Sequence, residues 1–256
     1  MQRPLCTALL GLALAAPGAA QTDGPLVSDR PDFSESTSTL APGHVQVEAG
    51  LTRQEIGDED TLSLGEVLVR YGLGERLEAR LGVGSWSRVD AGRETFDGYE
   101  DPVLQMKLRL TAPADDRPPG LPAVALLLGT SVPVGSPELT SDEWQPEARL
   151  AFDWTFTDRL SLGANLGAGL PTDGDERFGQ VLASASLGLA ATDRLGVFIE
   201  AYGYSREEPD GDATRYIDGG VTFSLRDDLQ LDARVGFGLN DPSPERWIGV
   251  GVAKRW

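Results

Sequence analysis

The stretch Leu229-Gln230-Leu231-Asp232-Ala233-Arg234-Val235-Gly236-Phe237-Gly238 decides how the chain is read. Every second residue is apolar, and the residues between are polar, charged or glycine. A period of two belongs to a β-strand with one apolar and one polar face, and ten residues is the length of a tilted strand that crosses a membrane. The same pattern recurs upstream. Leu77, Ala79, Leu81 and Val83 alternate with Glu78, Arg80, Gly82 and Gly84. Leu160, Leu162, Ala164, Leu166 and Ala168 alternate with Ser161, Gly163, Asn165, Gly167 and Gly169.

Short turns that resemble one another introduce these segments: Gly74-Glu75-Arg76-Leu77, Thr157-Asp158-Arg159-Leu160, Thr192-Asp193-Arg194-Leu195 and Arg226-Asp227-Asp228-Leu229. Polar turns between alternating runs are the hairpin signature. The other connections read as longer and acidic, among them Gly57-Asp58-Glu59-Asp60 and Glu207 to Asp212. Short turns at one end and long loops at the other predict an all-β transmembrane antiparallel up-and-down barrel of about twelve strands. The expected spans are 43–54, 62–73, 76–86, 99–110, 122–133, 146–156, 160–170, 179–190, 195–205, 215–225, 229–239 and 247–256. Thr111 to Pro122 is expected as a long, proline-rich exception among the short connections.

Alternation alone does not say which face points inward, because a soluble sandwich or barrel has the same period with its apolar side inside. The polar face here carries glycine and charges of both signs, lysine occurs only at Lys107 and Lys254, and the chain ends on an aromatic residue within its last strand. These features place the apolar face in lipid. The net charge of -18, from 40 acidic and 22 basic residues, offers no basic footprint for nucleic acid. Residues 1–20 follow the secretory layout: Arg3, an apolar run from Leu5 to Ala16, then Pro17-Gly18-Ala19-Ala20. The single cysteine, Cys6, falls within that signal, so the exported chain has no thiol chemistry. Residues 21–42 lack alternation and form an N-terminal periplasmic or plug segment, and 43–256 the barrel.

Several blocks resemble a known family, the outer-membrane transporters named after a meta-pathway of phenol degradation. They are Ser28-Asp29-Arg30-Pro31-Asp32-Phe33-Ser34-Glu35-Ser36, Leu68-Val69-Arg70-Tyr71-Gly72-Leu73, Gln230 through Asn240, and the ending Ile248 through Trp256. Tryptophan stands at the last position, where members of the family more often have phenylalanine. The resemblance implies a barrel in the outer membrane of a Gram-negative-type bacterium, a transport role, and reading of a terminal aromatic, here Trp256, by the outer-membrane assembly machinery.

Residues that carry enzyme chemistry are sparse. His44 is the one histidine. No G-x-S-x-G elbow accompanies it, and one histidine without cysteine makes no zinc site. The glycines of 163–169 and 236–238 have a period of two with no helix following, so they are strand residues and not a nucleotide loop. The chain is expected to be a non-enzyme with no cofactor or metal. The informative constellation is the polar face. By parity it holds Glu48, Glu66, Arg70, Glu78 and Arg80; Lys107, Arg109, Glu147, Arg149 and Asp153; and Glu200, Asp218, Asp232 and Arg234. A charge facing lipid near the midplane costs about 2–4 kcal/mol, so these residues are candidates to line the lumen. Arg30 and Asp32 are candidates for plug residues that meet wall charges. The expected function is a channel or transporter for small molecules, aromatic or hydrophobic compounds among them. Its partners are membrane lipid, the assembly machinery and an unidentified solute. A closed structural or surface-interaction barrel is the first alternative, and a lipid-directed hydrolase using His44 the second.

Overall fold

The computed structural model describes residues 25–118, 120–241 and 243–256. The expected signal peptide, 1–20, and residues 21–24 lie outside the described residues. Sixteen strands follow in order: β1 (Val45–Ile56), β2 (Glu59–Gly74), β3 (Leu77–Gly82), β4 (Trp86–Asp90), β5 (Thr95–Tyr99), β6 (Val103–Arg109), β7 (Ala123–Ser131), β8 (Gln145–Thr157), β9 (Leu160–Gly169), β10 (Thr172–Asp173), β11 (Glu176–Arg177), β12 (Gln180–Ala190), β13 (Leu195–Tyr204), β14 (Thr214–Arg226), β15 (Leu229–Gly238) and β16 (Arg246–Arg255). The β3–β4 and β5–β6 pairs are each one staved strand broken in the middle, and β10–β11 is a separate loop hairpin. Twelve antiparallel staves therefore close into a barrel, at the places the alternation predicted.

Closure is made by β1, which pairs with β2 on one side and with β16 on the other, from Gln46↔Arg255 to Glu55↔Arg246. Val45 and Trp256 extend that seam by exchanging both backbone hydrogen bonds, at 3.2 and 2.8 Å. In lipid an unpaired strand edge would leave its peptide groups unsatisfied, so this seam is what makes a spanning sheet possible.

The repeated turns owe their tightness to threonine. The Thr157 hydroxyl accepts the backbone N–H groups of Arg159 and Leu160, and Thr192 does the same for Arg194 and Leu195. Such a side-chain turn satisfies donors that a two-residue connection would otherwise strand. Two local departures re-aim the wall. At Gly65 (φ +101°) and Glu66 (φ +39°) β2 bulges, which turns Leu64 outward while Ser63 faces Ser87 across the sheet. At Gly84 (φ +82°) a side chain would collide with the Glu100 carbonyl, and there the third stave breaks into β3 and β4. The sequence reading of Gly57 to Asp60 as a long acidic loop is corrected. Glu59 and Asp60 belong to β2, Arg53 pairs with Asp60, and only Gly57-Asp58 turns. Thr111 to Pro122 is the long connection expected, and carries a 3-10 turn at Ala114–Asp116.

Burial is inverted relative to a soluble protein. Outside, Leu81, Leu128, Leu166, Ile199, Val235 and Ile248 are among many large apolar side chains left open, Ile248 by 60%. Inside, Gln46, Glu48, Arg70, Glu78, Lys107 and Glu200 are at most 1% exposed, and the cluster of buried apolar side chains among the described residues is small: Ala125, Leu127 and Ala151. Exposed Tyr71, Phe156, Phe223 and Trp256 lie toward the end with the tight turns, and Tyr99, Trp144 and Phe237 toward the other. An apolar belt flanked by aromatic residues around a polar interior fits only a bilayer.

Candidate functional site

The barrel encloses its own N-terminal segment. Leu26 enters at the periplasmic end, donating its N–H to the Asp227 carbonyl at 2.7 Å. The chain rises to a tip at Arg30 to Ser34 and descends through Thr37 and Leu40 to join β1. An irregular segment cannot bond its backbone to itself, and the wall supplies the partners. Asp29 N–H meets Glu48; Phe33 N–H and Ser34 N–H meet Glu200; Glu35 N–H meets Asn165; Thr37 N–H meets Asp153; Leu40 N–H meets Glu78. A carboxylate accepting a backbone N–H makes a charge-assisted bond, stronger than one between neutral groups.

Two ion networks hold the segment. In the first, the Asp29 carboxylate lies 2.9 Å from Arg80, 2.9 Å from Lys107 and 3.2 Å from Arg70. Glu35 joins Arg80 at 2.7 Å, and Arg70 also holds Glu48 and Glu78 at 2.9 Å each. Burial alone would raise the Asp29 carboxyl, but Arg70, Lys107 and Arg80 outweigh it and hold it well below the usual carboxylate range. In the second network Arg30 meets Glu66 at 2.8 Å and Asp232 at 3.5 Å, with Arg234 3.9 Å from Glu66 and donating to the Pro31 carbonyl.

The fourteen charges picked by parity separate by place. Glu48, Arg70, Glu78, Arg80 and Lys107 sit on β1, β2, β3 and β6 around Asp29. Glu66, Asp232 and Arg234 surround Arg30. Glu200 holds the tip, with Asp218 opposite it in register, and Asp153 holds Thr37. Glu147 and Arg149 pair at 3.1 Å beside Phe33, and Arg109 reaches the Glu75 carbonyl at the periplasmic rim. Of the two residues expected to meet wall charges from the segment, Arg30 does so. Asp32 meets no wall cation: it bonds Ser186 and faces Glu200, and burial together with that carboxylate pushes it well above its ordinary value. The residue that meets the cations is Asp29, three positions earlier. His44 lines a periplasmic cavity of about 520 Å3 with Arg70, Arg109 and Ser38, and its Nδ1 has no hydrogen-bond partner. Among the described residues no histidine, cysteine or carboxylate group converges as a metal site.

The opposite wall is built differently. Ser161 and Gly163 on β9, Ser186 and Gly188 on β12, Gly196 on β13 and Thr222 on β14 face inward and leave a cavity of about 490 Å3. It runs from Asp158 and Arg159 at the periplasmic rim up to Asp32 and Ser34 under the tip. At the tip, inward rings gather toward the extracellular mouth. Phe33 stacks on Tyr202 at 4.3 Å, Tyr202 on Tyr216 at 4.7 Å, and Trp247 meets Tyr216 edge-on at 5.8 Å. Sequence reading passed over these rings, although Tyr202 and Tyr204 share parity with Glu200, Tyr216 shares it with Asp218, and Trp247 is out of phase with the lipid-facing Ile248.

A closed twelve-stave barrel with an apolar belt and a charged lumen is an outer-membrane β-barrel. The chain belongs to the family described as "Putative MetA-pathway of phenol degradation", whose model matches residues 28–256. Among solved structures it is similar to the NanC porin, at 10% identity and a TM-score of 0.55 over 82% of this chain and 98% of that one. It is also similar to the KdgM porin, at 9% identity and a TM-score of 0.54 over 82% and 98%. The transport unit of the autotransporter AIDA-I from Escherichia coli matches at 9% identity and a TM-score of 0.51 over 89% and 91%. At such identities the likeness is one of fold. No curated protein matches the chain.

Proposed function

We propose that the protein is a passive channel for small molecules, aromatic or hydrophobic compounds among them, and that residues 25–44 are its plug. One observation carries this reading: the two walls treat the segment unequally. The wall of β2, β3 and β6 binds it through buried ion pairs from Arg70, Arg80 and Lys107 to Asp29, whereas β9, β12 and β13 hold only its tip, by hydrogen bonds with Asn165, Ser184 and Glu200. Below the tip β9, β12, β13 and β14 present mainly glycine, serine and threonine, with Phe198, and leave the 490 Å3 cavity beside it. A barrel whose interior served only for bracing would gain by filling that side, because lost packing weakens the wall. Glu48, Arg70, Glu78, Arg80 and Lys107 are then anchors of the plug. Asp153, Glu200 and Asp218 border the solute path, and the family's description supports an aromatic cargo.

Conductance in planar bilayers tests the reading. Deleting residues 25–40 should raise conductance through the barrel, and Gly163→Phe, which fills the cavity from β9, should lower it again in the deleted protein. A deletion that folds, shown by a heat-dependent gel shift, yet stays silent in the bilayer would leave the closed structural barrel as the answer.

A further inference from the structure

The tip of the segment occupies a place shaped for something else. Phe33 is the one phenylalanine, tyrosine or tryptophan between Pro25 and His44. Its ring lies against the face of Tyr202 at 4.3 Å and 10°, Tyr204 closes the edge at 5.7 Å and 79°, and the Arg149 guanidinium stands 5.0 Å from the ring centre. Its backbone meets the same wall. The Phe33 N–H donates to Glu200 at 2.6 Å, and its carbonyl accepts from Arg149 Nη1 at 3.4 Å. Tyr202, Glu200 and Arg149 thus recognise a flat ring together with one donor and one acceptor. The slot lies at the extracellular mouth, where β13 ends at Tyr204 and β14 begins at Thr214.

Resting on the channel reading, we propose that this slot is the entry subsite of the path, that its ligand is a small neutral aromatic ring bearing a hydroxyl, and that Phe33 is the internal stand-in it displaces. The hydroxyl is chosen by the two polar partners. When Phe33 leaves, Glu200 loses a donor and Arg149 loses an acceptor, and a phenolic hydroxyl both donates and accepts. A carboxylate would only accept, and it would face Glu200 with Asp218 opposite in register and Asp32 at the tip. A saturated alcohol would supply the hydroxyl but no π face for Tyr202 or the Arg149 cation. Displacement also couples entry to the path. The Ser34 N–H and hydroxyl share Glu200 with Phe33, and the Ser34 hydroxyl lies 2.6 Å from that of Ser184, so a ligand that takes Glu200 loosens the roof of the cavity below.

The test uses the full-length protein in detergent micelles with phenol as the probe, and benzoate and cyclohexanol as comparators, by titration calorimetry. Phe33→Ala should tighten phenol binding by about tenfold, since a competing stacked ring is gone. Adding Tyr202→Leu should return it to the parental level or below, and benzoate and cyclohexanol should bind more weakly than phenol in Phe33→Ala. Phe33→Leu, which keeps the bulk and removes the π face, replaces Phe33→Ala in the same comparison if the alanine protein does not fold. Equal phenol binding with and without Phe33, or binding indifferent to Tyr202, would overturn the subsite. Conductance of the 25–40 deletion separates the two claims: a conducting barrel whose Phe33 variants ignore phenol keeps the channel and loses the subsite, and a silent barrel that binds phenol does the reverse.

Discussion

Replacing Asp29 by asparagine asks how firmly the segment is held. Asp29→Asn keeps the shape and one acceptor oxygen for Ser36, whose N–H and hydroxyl bond the carboxylate at 3.0 and 2.8 Å. What it removes is the charge that three cations share. Arg70 retains Glu48 and Glu78, and Arg80 retains Glu35 at 2.7 Å, but Lys107 is left with Glu35 at 3.6 Å as its one remaining carboxylate partner. Breaking one side of a buried ion pair costs about 3–5 kcal/mol, and the surviving carboxylates place this case near 3. At about 1.4 kcal/mol per factor of ten, the docked segment should lose about two orders of magnitude in its equilibrium against release. Amide hydrogen exchange in micelles reads that equilibrium, because Phe33, Ser34, Glu35, Thr37 and Leu40 all donate their N–H groups to wall side chains. Peptides covering 28–40 should lose about 100-fold in protection while peptides from β13 to β15 stay unchanged. Unchanged protection in 28–40 would show that the ion network does not hold the segment, and equal loss in the strands would show that Asp29 stabilises the barrel instead.

Three further outcomes follow from other contacts. Asp32 carries a raised carboxyl, so docking of the tip favours its protonated form. That contribution is fully present below the ordinary carboxylate value and is lost as pH rises through the raised one. Exchange of the tip amides should therefore quicken with pH beyond its intrinsic dependence, and Asp32→Asn should remove the excess; a variant that keeps the full slope would assign the titration elsewhere. Asp101 has the opposite sign. Burial pushes it up, but N–H groups of Ser141 and Gly135 and the Ser141 hydroxyl outweigh this and hold it below its ordinary value. The loop from Val132 to Trp144 should thus stay closed to protease at neutral pH and open only as pH falls below about 4, and Asp101→Asn should leave it cut at neutral pH. Deleting Trp256 removes both backbone bonds to Val45 and an outward ring, so outer-membrane levels of folded barrel should fall sharply while Trp256→Phe keeps them, as fractionation with an antibody would show.

The sequence by itself determined the wall. A strand's side chains alternate with a period of two regardless of what surrounds it, so Leu229 to Gly238 announced its faces, and the Thr-Asp-Arg-Leu turns announced their hairpins through bonds that close within three residues. The same parity separated the inward charges from the lipid face. It could not say which charges meet, because partners such as Asp29 and Lys107, or Arg30 and Asp232, are far apart in sequence and are brought together only when the barrel closes. Nor could it trace the irregular segment. A stretch with no period has no face to read, and its path is set by where Glu48, Asp153, Asn165 and Glu200 offer acceptors. That is why Asp32, read from its charged block only as a plug residue that meets wall charges, came to rest beside a carboxylate, Glu200. The cavity has the same origin: Gly163, Ser186 and Gly188 are unremarkable small residues along their own strands, and only the tertiary structure sets them side by side as an empty wall.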